Sequence, residues 1–277
     1  MKKFLLTLCA VAVMLPACIK KPGEPVETIK HYKIEFKIGG LNHTVGEPNV
    51  GFPTEPIQNF VKQLSIVAYN TETGAEVARQ THLPGTANFG KISFELPSGT
   101  YNFVAIGSNT EFGINQFYEV DKNNPVYATY PNANFHYWQP SFSSLDKYYK
   151  TSDTFFAKTT GLQLNKNQTA ELIMERIVGL LTVIVTDKTE YAVDLQNDYS
   201  AYRFDTQVPF SVMENDFMSG YKQSKNGTIN YYLLRSTGIN LNIEAPVTKS
   251  ITVSVPKNKH TTLRIQFETM TVNTTVE

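Results

Sequence analysis

The sequence predicts an all-β protein built as two tandem β-sandwiches, and three observations carry that expectation. Tyr, Phe, Thr, Val and Ile recur in short bursts separated by Gly, Pro, Asn and Asp, the texture of strands and turns. Several bursts alternate apolar and polar residues with the period of two that a half-buried strand shows. The chain's 277 residues are enough for two domains with cores of their own. Lys+Arg and Asp+Glu stand at 25 each, so no positive field points to nucleic acid as a partner.

The N-terminus has a different character. Lys2 and Lys3 precede an apolar run, Phe4 to Met14, that is too short to span a bilayer. "LPAC" follows at Leu15 to Cys18 and resembles the lipobox of bacterial lipoproteins, with Pro16 departing from the usual residue at its position. The expectation is a signal peptide over 1–17, lipid on Cys18 and an extended tether over 18–30, rich in Pro and Gly. An ordinary signal peptide cut after "LPA" is the alternative. Cys9 would leave with the signal, so the mature chain would hold one thiol, occupied by lipid, and no disulfide. Acyl burial at ~0.8 kcal/mol per CH₂ makes several chains a stable anchor. Nothing in Ile19-Lys20 resembles an inner-membrane retention signal, so the outer membrane is the expected site.

The first sandwich is expected over 31–150. "HYKIEFKIGG" alternates Tyr32, Ile34, Phe36 and Ile38 against Lys33, Glu35 and Lys37, a half-buried strand. "QLSIVAYNTETGAEVARQ" reads as two strands joined across Asn70 to Gly74. In "GKISFELPSGTYNFVAIGSN" a turn at Pro97-Ser98-Gly99 separates two more. A strand, a "TETG" turn, a returning strand and then "FELPSGTYNFVA" resembles transthyretin-like domains, which implies seven-stranded Greek-key sandwiches, usually non-catalytic. Aromatics crowd the segment 111–149. Phe135, Tyr137 and Trp138 are its candidates for a glycan-stacking or partner surface, against the alternative of a loop packed over the sandwich.

The second sandwich is expected over 151–277. In "MERIVGLLTVIVTD" the uncharged run from Ile177 to Val185 is only nine residues long, against the ~20 a membrane helix needs. A helix competes here, with Thr169 as cap and Leu172, Ile173, Ile177 and Leu180 at helical spacing. β-Branched residues favour a strand from Leu180 onward, and Ala170 to Gly179 reads as strand with Gly179 at a bulge. Asn226-Gly227 marks a hairpin turn before "INYYLL". The last stretch places Leu263, Ile265 and Phe267 on one face. With few charges and no proline to its end, it is the candidate for strand exchange, alongside 31–38, against the alternative of the last strand of its own sandwich with a frayed tail.

Together, the lipobox, the transthyretin-like first half and "LIMERIVGLLTVIV" resemble the fimbrillin superfamily of Bacteroidetes, in its lipid-anchored anchor or minor subunits. Arg176, Gly179, Leu181 and Val183 match the family's segment at the start of the second domain. The resemblance implies an outer-membrane lipoprotein that serves as anchor or accessory subunit of a fimbria-like fibre. Its partners would be other fimbrial subunits and surface ligands of host or bacterial cells, joined by β-strand addition. Family shaft subunits lose an N-terminal segment to an Arg-specific protease. Of the five Arg here the first is Arg79, inside an expected strand, which points to an uncut anchor unless Lys30, Lys33 or Lys37 serves instead.

Chemistry leaves little trace. His31, His43, His82, His136 and His260 are scattered without metal-ligand spacing, and no nucleophile elbow or phosphate loop occurs. The expectation is a protein without catalytic residues, metal or cofactor. A glycan-binding lipoprotein of a polysaccharide-uptake system is the competing reading. For Glu175-Arg176 both a structural ion pair and a partner contact stay open.

Overall fold

Alternation builds the first strand, β1 (His31–Gly39): Ile34, Phe36 and Ile38 turn inward while Lys33, Glu35 and Lys37 face solvent. The computed structural model describes residues 29–48, 51–117, 119–124, 126–138, 151–211, 218–224 and 227–277. Next come β2 (Gln63–Asn70), β3 (Glu76–His82), β4 (Ser93–Pro97), β5 (Gly99–Ser108), β6 (Phe112–Ile114) and β7 (Asn134–Tyr137). They are followed by β8 (Thr154–Leu164), β9 (Gln168–Ile173), the two-residue β10 (Glu175–Arg176) and β11 (Gly179–Val185). Then come β12 (Tyr191–Asp198), β13 (Ala201–Arg203), β14 (Pro209–Phe210), β15 (Met218–Ser224) and β16 (Ile229–Leu233). The last four are β17 (Ile239–Glu244), β18 (Thr248–Val253), β19 (His260–Gln266) and β20 (Thr271–Val276).

In the first sandwich the three-stranded sheet β4-β1-β9 faces the five-stranded sheet β10-β8-β5-β2-β3. Ile34, Phe36 and Ile38 meet Leu64, Ile66, Phe103 and Phe155 in one core. The five-stranded sheet is buried on its other face too, where Val67, Tyr69, Val104, Ile106 and Phe156 lie beneath a third layer, β14-β13-β7-β6. That is why β2 reads as a nearly continuous apolar run, as strands buried on both faces do. The third layer is composite. β6 and β7 follow the first five strands, whereas β13 and β14 come from beyond β12, and Ala201, Tyr202 and Arg203 pair with His136, Phe135 and Asn134.

The second sandwich sets β16-β11-β19-β20 against β15-β12-β17-β18 around Leu181, Val183, Val193, Leu195, Leu241 and Ile265. Each sandwich has eight strands among the described residues, the two-residue β10 included, against the seven the resemblance implies. Residues His31–Glu277 form one compact unit.

Three sequence expectations change. The boundary between 150 and 151 falls later, because β8 pairs with β5 and β9 pairs with β1; residues 154–173 complete the first sandwich. Gly179 is not a bulge. It pairs with Leu233, and a Cβ there would lie 2.6 Å from the Pro256 carbonyl oxygen, so a close backbone approach demands glycine. The strands flanking Asn226-Gly227 do not form a hairpin: β15 pairs with β12 and β16 with β11, so the chain changes sheets there. Asn226 itself, like the signal segment and Cys18, lies outside the described residues.

Candidate functional site

Two strands near the ends of the described chain sit in opposite environments. β1 is the middle strand of its sheet, antiparallel to β4 and parallel to β9 over six paired residues, Ile34 to Gly39. Ile34 is fully buried, and Phe36 packs edge-on against Phe94 and Phe103 at centroid distances of 5.8 and 5.1 Å. Burying such a side chain contributes roughly 1.5–3 kcal/mol. β1 continues into the sandwich only through Gly39-Gly40. Gly40 has φ +80°, and a Cβ there would stand 2.1 Å from the Met174 carbonyl oxygen, so the exit from β1 is tied directly to the end of β9.

β20 is an edge strand, and all six of its residues are exposed. Among the described residues it pairs only with β19, from Gln266↔Thr271 to Thr261↔Val276. On the opposite sheet β18 is likewise an edge. Between the two lies an open cleft of about 550 Å³, lined on its apolar side by Ile251, Val253, Leu263, Val272 and Val276. Lys249 Nζ donates to the Phe267 and Glu268 carbonyl oxygens at 2.6 and 3.1 Å, fastening β18 to the β19–β20 turn.

A single buried cation joins the surroundings of these strands. Arg176 is 1 % exposed. Nε and Nη2 donate to the two carboxylate oxygens of Asp153 at 2.6 and 3.0 Å, a bidentate ion pair. Nη2 also reaches the Asn42 carbonyl oxygen at 2.9 Å. Nη1 reaches Asn42 Oδ1 at 2.7 Å, Asn258 Oδ1 at 2.9 Å and the Thr44 carbonyl oxygen at 3.0 Å. The Phe155 ring covers the guanidinium at 4.6 Å. One side chain thus holds the loop after β1, the segment before β8 and the turn before β19. Asn258 strengthens that contact by donating from Nδ2 to the Glu47 carbonyl oxygen at 3.1 Å. The same loop touches the final residue, since a Cβ on Gly46 would stand 3.1 Å from the Glu277 carbonyl oxygen.

For Arg176, then, the structural ion pair is what the fold contains. Glu175 points outward to Lys257 at 3.0 Å. The other sequence candidates fall differently. Phe135, Tyr137 and Trp138 are 0, 0 and 3 % exposed, so they form no stacking platform. Phe135 and Tyr137 belong to the inner face of the third layer, whereas Trp138 packs edge-on against His136 at 5.2 Å. Tyr137 Oη meets Thr154 Oγ1 at 2.8 Å, and Lys122 Nζ lies 5.1 Å above the Trp138 ring. Leu263 and Ile265, in β19, and Phe267, just past its end, are core residues; β19 lies between β11 and β20, and the exposed edge is the strand after them. Arg79, within β3, is paired with Glu76 at 2.6 Å. Sequence reasoning missed Asn42, Thr44, Asp153 and Asn258, for which a lone arginine in an apolar run is the only signal.

Burial shifts two groups near the third layer. His136 is held down to about 3, chiefly by burial, and its Nε2 has no hydrogen-bond partner among the described residues. Asp198 is pushed up to about 7 by burial, although the Arg235 backbone N–H donates to it at 2.7 Å. No three His, Cys, Asp or Glu side chains gather into a metal site among the described residues. Nor is any helix among them long and apolar enough to cross a membrane.

Similar folds occur in several crystal structures. One is a candidate polysaccharide binding protein (DUF1812) from Bacteroides thetaiotaomicron, at TM-score 0.56 and 11% identity, covering 89% of this chain and 96% of that one. A candidate adhesin from the same species gives 0.54 at 9% identity, covering 91% and 97%. A third, a candidate adhesin from Bacteroides ovatus, gives 0.53 at 9% identity, covering 85% and 88%. At these identities the likeness is one of fold. No curated protein sequence matches the chain. A sequence profile of the fimbrillin-A associated anchor proteins Mfa1 and Mfa2 matches residues 21–277, nearly all of it. The chain belongs to that family of fimbrial anchor proteins.

Proposed function

We propose that this protein is a lipid-anchored anchor or accessory subunit of a fimbria-like surface fibre, joined to its neighbours by β-strand addition and without catalytic activity. Family membership supports the fibre and a cell-surface location. Strand addition rests on β20, an exposed edge strand beside an open apolar cleft, and on its contrast with β1. β1 is a core strand held between β4 and β9 by backbone pairing and side-chain packing, with one covalent exit at Gly39-Gly40. Phe103 lies beneath it in the facing sheet, with Phe94 and Leu172 beside it on the neighbouring strands.

The absence of Arg before Arg79 favours an uncut β1, since a cut inside β3 would sever the five-stranded sheet rather than free β1. In that reading β1 remains in its own sandwich, and β20 with its cleft is where the chain meets a partner. Lipid on Cys18 would hold the assembly to the outer membrane. Two experiments test the proposal. Deleting 268–277 should abolish co-purification with fibre subunits while the monomer stays folded; unchanged co-purification removes the β20 version. Cys18→Ser should end labelling by a palmitate analogue and release the protein from outer-membrane fractions.

A further inference from the structure

Beside the Arg176 cluster lies a pocket that the fibre role does not use. The connection between β1 and β2 runs from Gly40 to Lys62, longer than ordinary loops between strands, and among its described residues contains only a three-residue 3₁₀ turn at Ile57–Asn59. Its first half is shaped from within. Arg176 draws in the Asn42 and Thr44 carbonyl oxygens, and Asn42 Nδ2 donates to the Glu47 and Pro48 carbonyl oxygens at 3.4 and 3.3 Å. Burying a guanidinium is a costly way to gain stability, because apolar packing of the same volume serves as well. What the cation does provide is a fixed loop.

Outside that fixed backbone is a cavity of about 400 Å³, open to solvent and within the size of ordinary small-ligand sites. Its side chains are held too. The His43 imidazole stacks on Phe60, centroids 4.3 Å apart and planes at 21°. It meets Glu55 Oε2 at 3.4 Å, and Asn59 Nδ2 donates to the same oxygen at 3.2 Å. Those two contacts, Asn59 first, hold the Glu55 carboxyl below its ordinary range. One wall is apolar: the Phe52 ring, 46 % exposed, followed by Pro53.

We propose that this pocket binds a single neutral sugar ring, as a residue of a surface glycan. A pyranose presents an apolar C–H face, which matches the exposed Phe52 ring, and a rim of hydroxyls, which match Glu55, His43 and Thr44. No Lys or Arg lines the cavity and Glu47 and Glu55 do, so anions are repelled. A wholly apolar ligand would strip water from those carboxylates without replacing its hydrogen bonds. Glu55 already accepts from Asn59 and His43, which makes it a positioned acceptor more than a free charge awaiting an amine.

Saturation-transfer NMR and titration calorimetry on the full chain, with methyl glycosides of neutral hexoses and N-acetylhexosamines, test the assignment. At least one should bind, with its ring protons receiving saturation. Phe52→Ala should weaken it about threefold to tenfold, the size of an aromatic contact. Glu55→Gln, which keeps an acceptor oxygen, should weaken it less than Glu55→Ala. Both positions are exposed, so an unchanged thermal midpoint verifies the fold of each variant. The proposal is overturned if no neutral sugar binds, if Phe52→Ala binds as tightly as the parent, or if methylammonium binds instead and Glu55→Gln abolishes it. None of these outcomes depends on fibre assembly.

Discussion

β1 and β20 lie near opposite ends of the described chain and in opposite environments, although the loop after β1 reaches the end of β20. Each pairs with its neighbours by backbone hydrogen bonds. β1 has a neighbour on both sides and sends Ile34, Phe36 and Ile38 into the core; β20 has one neighbour and buries no side chain. A strand added to another subunit must first be available, and availability falls as buried apolar area rises. The physical contrast therefore separates a strand that completes its own sandwich from one that can leave. It also explains why the neutral, Thr-rich composition of 271–276 is tolerable: no core depends on it.

The sharpest break of this contrast is Phe36→Ala. It removes a ring packed on Phe94 and Phe103 and should cost about 3–5 kcal/mol, read from the midpoint of chemical unfolding. A loss below about 1 kcal/mol would mean that β1 is not integral to the first core. Arg176→Met should be nearly as damaging. It leaves Asp153 buried and unpaired, which typically costs about 3–5 kcal/mol. The double variant Arg176→Met with Asp153→Leu should recover part of that loss, because the stranded charge is gone. Amide exchange should then quicken in 40–48 and around Asn258 together, since both segments rest on the same guanidinium.

How much of this was readable beforehand follows from the range of each signal. Period-two alternation is local, and it placed the inward face of β1 and of β19 correctly because a strand's two faces are fixed by adjacent residues. Burial on both faces of β2 and β5 was invisible at that range. It depends on the third layer, assembled from segments about 65 residues apart, such as Phe135 and Tyr202. The same layer turned the aromatic cluster from a surface into a core: many rings in a long loop look alike whether they await a ligand or pack on a sheet. The domain boundary failed for a related reason. β8 and β9 carry ordinary strand texture, and only pairing partners decide which sandwich owns them. Arg176 was legible as an oddity; its six acceptor contacts come from residues up to 134 positions away, and no spacing announces them.

The composite layer extends the comparison with a titration that neither end strand can show. His136 titrates near 6.5 when unfolded and near 3 in the fold, so its contribution is fully present above about 6.5 and is lost as pH falls from there towards 3. Asp198 has the opposite sign. Its carboxyl rises from 3.8 to about 7, so its contribution is present below about 4 and is lost as pH rises through 7. Asp198→Asn keeps an acceptor for the Arg235 N–H. It should raise stability at pH 8 and flatten the pH 4–7 slope, while His136→Gln should flatten the acid side. Unfolding curves from pH 4 to 8 check both signs.

The smallest effect belongs to β20. Val272→Thr and Val276→Thr keep β-branched shape on side chains that are 36 and 50 % exposed, so each should change global stability by less than about 0.5 kcal/mol. Their value lies in what else is measured. If β20 is the strand that meets a partner through the cleft against Ile251 and Val253, these same variants should weaken co-purification with fibre subunits while leaving the monomer's unfolding curve in place. A strand bound only by its backbone would lose neither property, and that result would move the contact off the valine face and onto the free edge alone.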